Sequence, residues 1–264
     1  MHIKRIITAV LILPLVVLSI LYLPFYLFGV FIGFVVILAS IEFFKMTEPS
    51  TEVFDTLFSL FLYLIIPVGF LINQPAYALT VSTVCFILFY SFQNKEKKLL
   101  FQRLSVKIFG LIYVSFFISH LIPIMNLQNG RKLIFVTLII VSFGDTLAFY
   151  FGTFFGKHKL CQKISPKKSI EGAIGSYIGS FTGLIVAKFT YFQFLTYGDI
   201  FFLTMFVGTL GQLGDLVESF LKSNFEVKDS GTLLPGHGGI LDRIDSLIFA
   251  APSLYYYMLF KAYV

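Results

Sequence analysis

Residues 6–41 read IITAVLILPLVVLSILYLPFYLFGVFIGFVVILASI, a run without Asp, Glu, Lys or Arg. At about 1.5 Å per helical residue and a hydrocarbon core about 30 Å thick, this run is too long for one crossing and long enough for two. Leu23-Pro24 supplies the break, because proline lacks the N–H that a continuing helix needs. Residues 56–94 repeat the pattern, broken at Asn73-Gln74-Pro75. The whole chain agrees with this reading: of 264 residues 57% are hydrophobic and 13% charged, 34 are Phe, and the mean hydropathy is +0.88. A water-soluble domain carries about 25% charged residues, so lipid is the solvent here. The alternating segments of about ten residues that mark a membrane barrel are missing. The expected fold is all-α, a polytopic helical membrane protein.

Apolar runs and their breakers place nine transmembrane helices near residues 6–23, 25–44, 56–72, 76–92, 108–125, 133–155, 173–196, 200–221 and 241–260. Lys4-Arg5 before the first run resembles the start of a signal peptide, but no small-x-small cleavage site follows, so the first helix is expected to stay. With the N-terminus cytoplasmic, fifteen Lys and Arg fall in inside segments, against Arg131, Lys132 and Lys261 outside. The positive-inside rule then favours N-in and C-out. The net charge of +6 is a topology signal on this reading, and no nucleic-acid partner is expected. Lys188 sits near the outer end of its span, where its long stem lets the ammonium reach the interface. Cys85 and Cys161 are too few for a disulfide framework. The chain reads as a single membrane domain, with 1–130 a lipid-embedded scaffold and 131–264 the catalytic portion.

From Asp145 onward, acids enter or edge the apolar runs: Asp145, Asp215, Glu218, Asp242 and Asp245. Each would cost about 2.5–3.5 kcal/mol at a helix centre, so each needs compensation. Asp215 and Glu218 are three apart, as are Asp242 and Asp245, and each pair shares a helix face. Counted from the cytoplasmic ends, the Asp residues at 215, 242 and 245 lie within roughly 10 Å of one surface. Carboxylates converging there repel unless a cation joins them, and hard oxygen ligands suit Mg²⁺. A helix-end salt bridge with Arg243 is the competing reading.

Two loops bear on that choice. Residues 228–243, KDSGTLLPGHGGILDR, combine Lys228, Asp229, the closely spaced Gly236, Gly238 and Gly239, and a helix start. Small residues let backbone N–H groups approach phosphate oxygens, and a helix N-terminus adds partial positive charge. Residues 156–172, GKHKLCQKISPKKSIEG, carry positive-inside charge that also attracts anionic lipid.

Residues 214–222, GDLVESFLK, followed by Lys228-Asp229, His237-Gly238-Gly239 and Asp242-Arg243-Ile244-Asp245, resemble the phosphatidate cytidylyltransferases, also called CDP-diglyceride synthetases. Ser219 and Lys222 fall in the same register, and Gly144-Asp145 with residues 164–172 is similar to the family's other cytoplasmic motif. Ser223 departs from the Arg usual after the motif lysine. The resemblance implies that CTP and phosphatidate give CDP-diacylglycerol and pyrophosphate at the cytoplasmic face of a bacterial-type inner membrane. It implies Mg²⁺ held by Asp215, Asp242 and Asp245, with Asp145 a further candidate as ligand or orienting group. Lys222, Lys228 and Arg243 become the contacts for CTP phosphates, Gly238 and Gly239 backbone donors, and Ser165, Lys167 and Lys168 the grip on the lipid headgroup. Ser219, Asp229 and His237 join the substrate site, and a homodimer follows from the resemblance alone. Two rivals remain: a CTP-dependent polyprenol kinase, which moves the γ-phosphoryl group, and a cation-coupled transporter, which would place its polar groups at the midplane.

Overall fold

A computed structural model describes residues 2–48, 52–162, 164–236 and 238–263. The chain divides into two compact units, Met1–Asn126 with Asp229–Arg243, and Leu127–Lys228 with Ile244–Val264. Helices dominate both: α1 His2–Tyr22, α2 Phe25–Thr47, α3 Val53–Leu71, α4 Pro75–Ser91, α5 Lys97–Ile124, α6 Gly130–Phe154, α7 Ile170–Thr190, α8 Tyr197–Asn224 and α9 Leu241–Tyr263. The turns at Pro24 and at residues 72–74 fall where the prolines demand them. Among the described residues, α2, α3, α5, α6, α7 and α8 are long and apolar enough to cross a membrane. Helix α4 is short at 17 residues, and the apolar part of α1 described by that measure is Val10–Tyr22. The protein is therefore a multi-pass helical membrane protein. Leu11, Leu13, Phe34, Phe61, Phe149 and Phe154 stay exposed, as lipid-facing side chains do.

Two departures from the sequence reading matter. First, the chain is not wholly helical: Lys159–Cys161 (β1) and Ser165–Ser169 (β2) form an antiparallel hairpin, with Lys159 opposite Ser169. Ser169 ends this hairpin and caps α7, its Oγ accepting the Gly172 N–H at 3.1 Å. Second, α5 starts at Lys97, well before residue 108, so Lys107 lies on a helix instead of in a basic loop.

In the first unit, Lys107 is fully buried. Its Nζ lies 2.9 Å from Glu48 Oε2 and 3.4 Å from Asp55 Oδ1, and 3.9 Å from the centroid of the Phe44 ring. Asp55 also accepts the Tyr90 hydroxyl at 2.8 Å, and Tyr63 donates to the Lys107 carbonyl at 2.8 Å. One ammonium thus ties together the ends of α2, α3 and α4 with α5. Burying an ammonium in an apolar surround is costly unless opposite charges sit against it.

In the second unit, α6 and α7 approach closely through small residues. A Cβ on Gly144 would lie 2.8 Å from the Ser176 and Ser180 hydroxyls, and one on Gly179 would run into the Phe143 carbonyl. Lipid offers helices no hydrophobic reason to associate, so this contact between backbones provides the dispersion attraction. At the other end of the unit, Thr196 and Asp199 form a capping box for α8, and Asp199 accepts from Lys261 at 2.7 Å and Tyr257 at 2.9 Å. Lys188 Nζ donates to the Leu195 carbonyl and faces the Tyr197 ring.

Replacing Lys107 by Met leaves Glu48 and Asp55 buried without their cation, and about 3–5 kcal/mol of stability should be lost. Thermal unfolding in detergent checks this: Lys107→Met melts well below the parent, and adding Asp55→Asn recovers part of the difference.

Candidate active site

Asp215 and Glu218 project from one face of α8, three residues apart, and Asp245 follows on the first turns of α9. One oxygen from each lies within 4.8 Å of the others. Gly214 makes this possible, since a Cβ there would strike the Asp245 carbonyl oxygen and sit 3.0 Å from the Phe249 ring. Two lysines answer two of the acids: Lys168 Nζ is 2.7 Å from Asp215 Oδ2, and Lys222 Nζ is 2.5 Å from Glu218 Oε2. Asp245 accepts the Ser246 N–H at 2.7 Å and carries no ion pair among the described residues. Three carboxylates against two ammoniums leave a site with room for a cation. Oxygen-only donors of this kind suit a hard divalent ion.

Glu218 is the member that the sequence reading left without a role. The signal was present in its spacing, since it shares a face with Asp215. The family motif drew attention to Asp242 in its place.

A cavity of about 610 Å³ opens beside Asp215, lined by Asp145, Ser165, Lys167, Lys168 and Gln212. The β2 strand brings Ser165, Lys167 and Lys168 to this wall, beside Asp145 and Asp215. Glu171 does not join them; it accepts from His158 Nδ1 at 2.6 Å and from the His158 N–H, and so ties the hairpin's start to α7. The cavity's apolar side is built by Ala148, Phe149 and Leu160, a lining compatible with an amphiphile. Lys228 is exposed at the end of this unit's loop, and Ser219 is half-buried on α8.

The glycine-rich segment 229–243 belongs to the first unit. There Asp242 Oδ2 accepts the N–H of Gly239 at 2.7 Å, the N–H of Ser230 at 3.0 Å and the Ser230 hydroxyl at 3.0 Å. Gly238 has φ +82° and its carbonyl accepts from Leu234 N. The Gly239 N–H expected to meet a phosphate instead meets Asp242, so this aspartate organises the loop. Asp229 and Arg243 are exposed, and His237 lies outside the described residues.

A helical membrane protein with a cluster of carboxylates and lysines beside a cavity is the arrangement of a membrane enzyme that handles phosphates. The pattern of the cytidylyltransferase family matches residues 3–261, and the chain belongs to that family. Among its relatives, the phosphatidate cytidylyltransferase of Thermotoga maritima is 33% identical over 95% of this chain and 94% of its own. The phosphatidate cytidylyltransferase of Bacillus subtilis is 40% identical over 59% of this chain, and that of Staphylococcus haemolyticus 42% over 58%. Those two alignments span a little over half of the relatives, 58% and 56% of their lengths.

Gly214→Ala tests the geometry of the carboxylate group. A backbone carbonyl cannot yield to the new methyl, so α8 must shift and carry Asp215 and Glu218 away from Asp245. Mn²⁺ titration followed by electron paramagnetic resonance should show affinity lowered by about tenfold or more in the folded variant.

Proposed function

We propose that this protein transfers the cytidylyl group of CTP to phosphatidate, giving CDP-diacylglycerol and pyrophosphate. The observation that carries the reading is the group Asp215, Glu218 and Asp245 beside a cavity walled by Lys167 and Lys168, in a chain of the cytidylyltransferase family. The end-to-end likeness to the Thermotoga maritima enzyme supports the same reading.

The chemistry follows from charge. A phosphate monoester has a second pKa near 6, so near neutral pH the lipid already brings an anionic nucleophile and asks little of a general base. Its oxygen bonds to the α-phosphorus of CTP as the α–β bridge breaks, and pyrophosphate leaves with the electron pair. The difficulty is anion meeting anion. Lys167, Lys168 and Ser165 bind the lipid phosphate at the cavity wall, which Asp145 also lines. Lys222, Lys228 and Arg243 hold the CTP phosphates, roles that rest on the family motif. Asp215, Glu218 and Asp245 would hold Mg²⁺, which when bound would neutralise charge on the reacting phosphates. Asp242 holds the loop that carries Arg243, with Asp229, His237, Gly238 and Gly239 completing that segment.

The setting we propose is a bacterial inner membrane crossed nine times, N-in and C-out, with the reacting groups cytoplasmic. The excess of Lys and Arg in the segments assigned to the inside supports this orientation, with Lys107 set aside because it lies buried on α5. A γ-phosphoryl kinase would keep the β–γ bridge, not the α–β bridge, as the bond to break, and that difference is measurable.

Detergent-purified protein is incubated with phosphatidate and CTP labelled separately at the α- and γ-phosphates. The expected result is α label in lipid and γ label in pyrophosphate, with loss on chelation of divalent ions. In Glu218→Gln and Asp245→Asn the rate should fall by about ten- to a hundredfold. Absence of label from lipid in folded protein would overturn the proposal, and γ label on an added prenol would replace it with the kinase reading.

A further inference from the structure

Glu42 lies on α2, in the part of the chain that the family motif does not reach, and is 4% exposed. Its Oε2 accepts the Leu241 N–H at 2.9 Å and lies 3.4 Å from the Ser230 hydroxyl, 199 and 188 positions away in the chain. These two residues bracket the glycine-rich loop. The same Ser230 hydroxyl donates to Asp242, whose Oδ2 also takes the Gly239 N–H. Two carboxylates therefore divide the loop's inward-facing donors between them, one from the loop's own end and one from a distant helix.

Packing gives an independent sign of the same relation. A Cβ on Gly231 would meet Oε1, Cδ and Cγ of Glu42 at 2.6–2.8 Å, and one on Gly239 would collide with Glu42 Oε2 and the Ser230 hydroxyl. The loop thus wraps the Glu42 side chain, and two of its glycines are sites where nothing larger fits against that carboxyl. A buried space-filling position in an apolar helix would take Leu or Met. An ionisable side chain there is costly and points to a specific task. Glu42 also sits at the N-terminus of α9, where exposed N–H groups favour a negative charge.

We propose that Glu42 is a positioning residue: its carboxylate sets the conformation of residues 229–236 and 238–241 and so presents this loop for the transfer reaction. The proposal rests on the cytidylyl-transfer reading for its consequence, but not for its geometry. Thr8 supports the same loop more weakly, its hydroxyl donating to the Pro235 carbonyl at 2.9 Å.

The test uses full-length protein in detergent, with Glu42→Gln, Glu42→Leu and Gly231→Ala. Two readouts are taken: kcat and KM for CTP, and hydrogen exchange of the amides in residues 229–241. Gln keeps an acceptor for Leu241 and should stay within about threefold of the parent in both readouts, whereas Leu removes the acceptor and should lose about tenfold or more in kcat/KM. In Glu42→Leu, exchange should rise in the loop and remain unchanged in α3 and α4. Gly231→Ala displaces the carboxyl without removing it, and should reproduce both effects even if Glu42→Leu fails to fold. Combining Gly231→Ala with Glu42→Leu should cost no more than the latter alone, because both act on one contact. Parental loop exchange and kinetics in both Glu42→Leu and Gly231→Ala would overturn the proposal, as would equal losses in Gln and Leu. If the parent protein transfers no cytidylyl group, the activity reading fails by itself, and exchange at Leu241 still decides the role of Glu42.

Discussion

A charge in an apolar helix has no water to turn to, so it must find its partners within the protein. That constraint organises everything in this chain that is not lipid-facing. Lys107 is met by Glu48, Asp55 and the Phe44 ring, Asp199 by Lys261 and Tyr257, Asp215 by Lys168, and Glu218 by Lys222. The charges come as clusters, and each cluster joins elements far apart in sequence. In a soluble protein a surface pair of this kind contributes little. Here the alternative is an unsatisfied ion in hydrocarbon, and the same pairs become joints of the fold.

The clusters differ in their surroundings. The Lys107 group, two acids on one ammonium, is buried inside the first unit, and the Asp199 group places its cation directly against its acid; both have a structural character. The group at Asp215, Glu218 and Asp245, three acids with two ammoniums, borders a cavity. An incomplete balance is costly for stability and useful for chemistry, because a site that attracts a metal and phosphates must hold some charge unanswered. The lysines there also have two roles open to them, as counter-ions to the acids and as ligands for anions.

Much of this was legible in the chain. The charge-free runs and their prolines marked the helix breaks, and the late acids marked the carboxylate group at Asp215 and Asp245. The resemblance to the family's motifs named Asp145, Ser165, Lys167, Lys168 and Asp215, and these residues line one cavity. Other features were hidden for physical reasons. The β hairpin is short and polar, with no alternation to reveal it. Lys107 looked like one more basic residue between spans, because its acids stand on other helices. Glu42 was the residue that merely ended an apolar run, since its partners are backbone N–H groups, which every residue carries. Tertiary hydrogen bonds to the main chain leave no mark on side-chain pattern.

The discontinuity of the first unit has a consequence in time. Residues 229–243 complete a body whose other members end at Asn126, so the ribosome must make about a hundred intervening residues before that body can close. At about 5–20 residues per second this is a wait of roughly 5–20 s, spent with the Glu42 carboxyl already in the membrane and its Leu241 partner not yet made. During that interval the half-built chain presents an unanswered acid to the bilayer. Its hydrogen bond to the Leu241 N–H closes only late in synthesis.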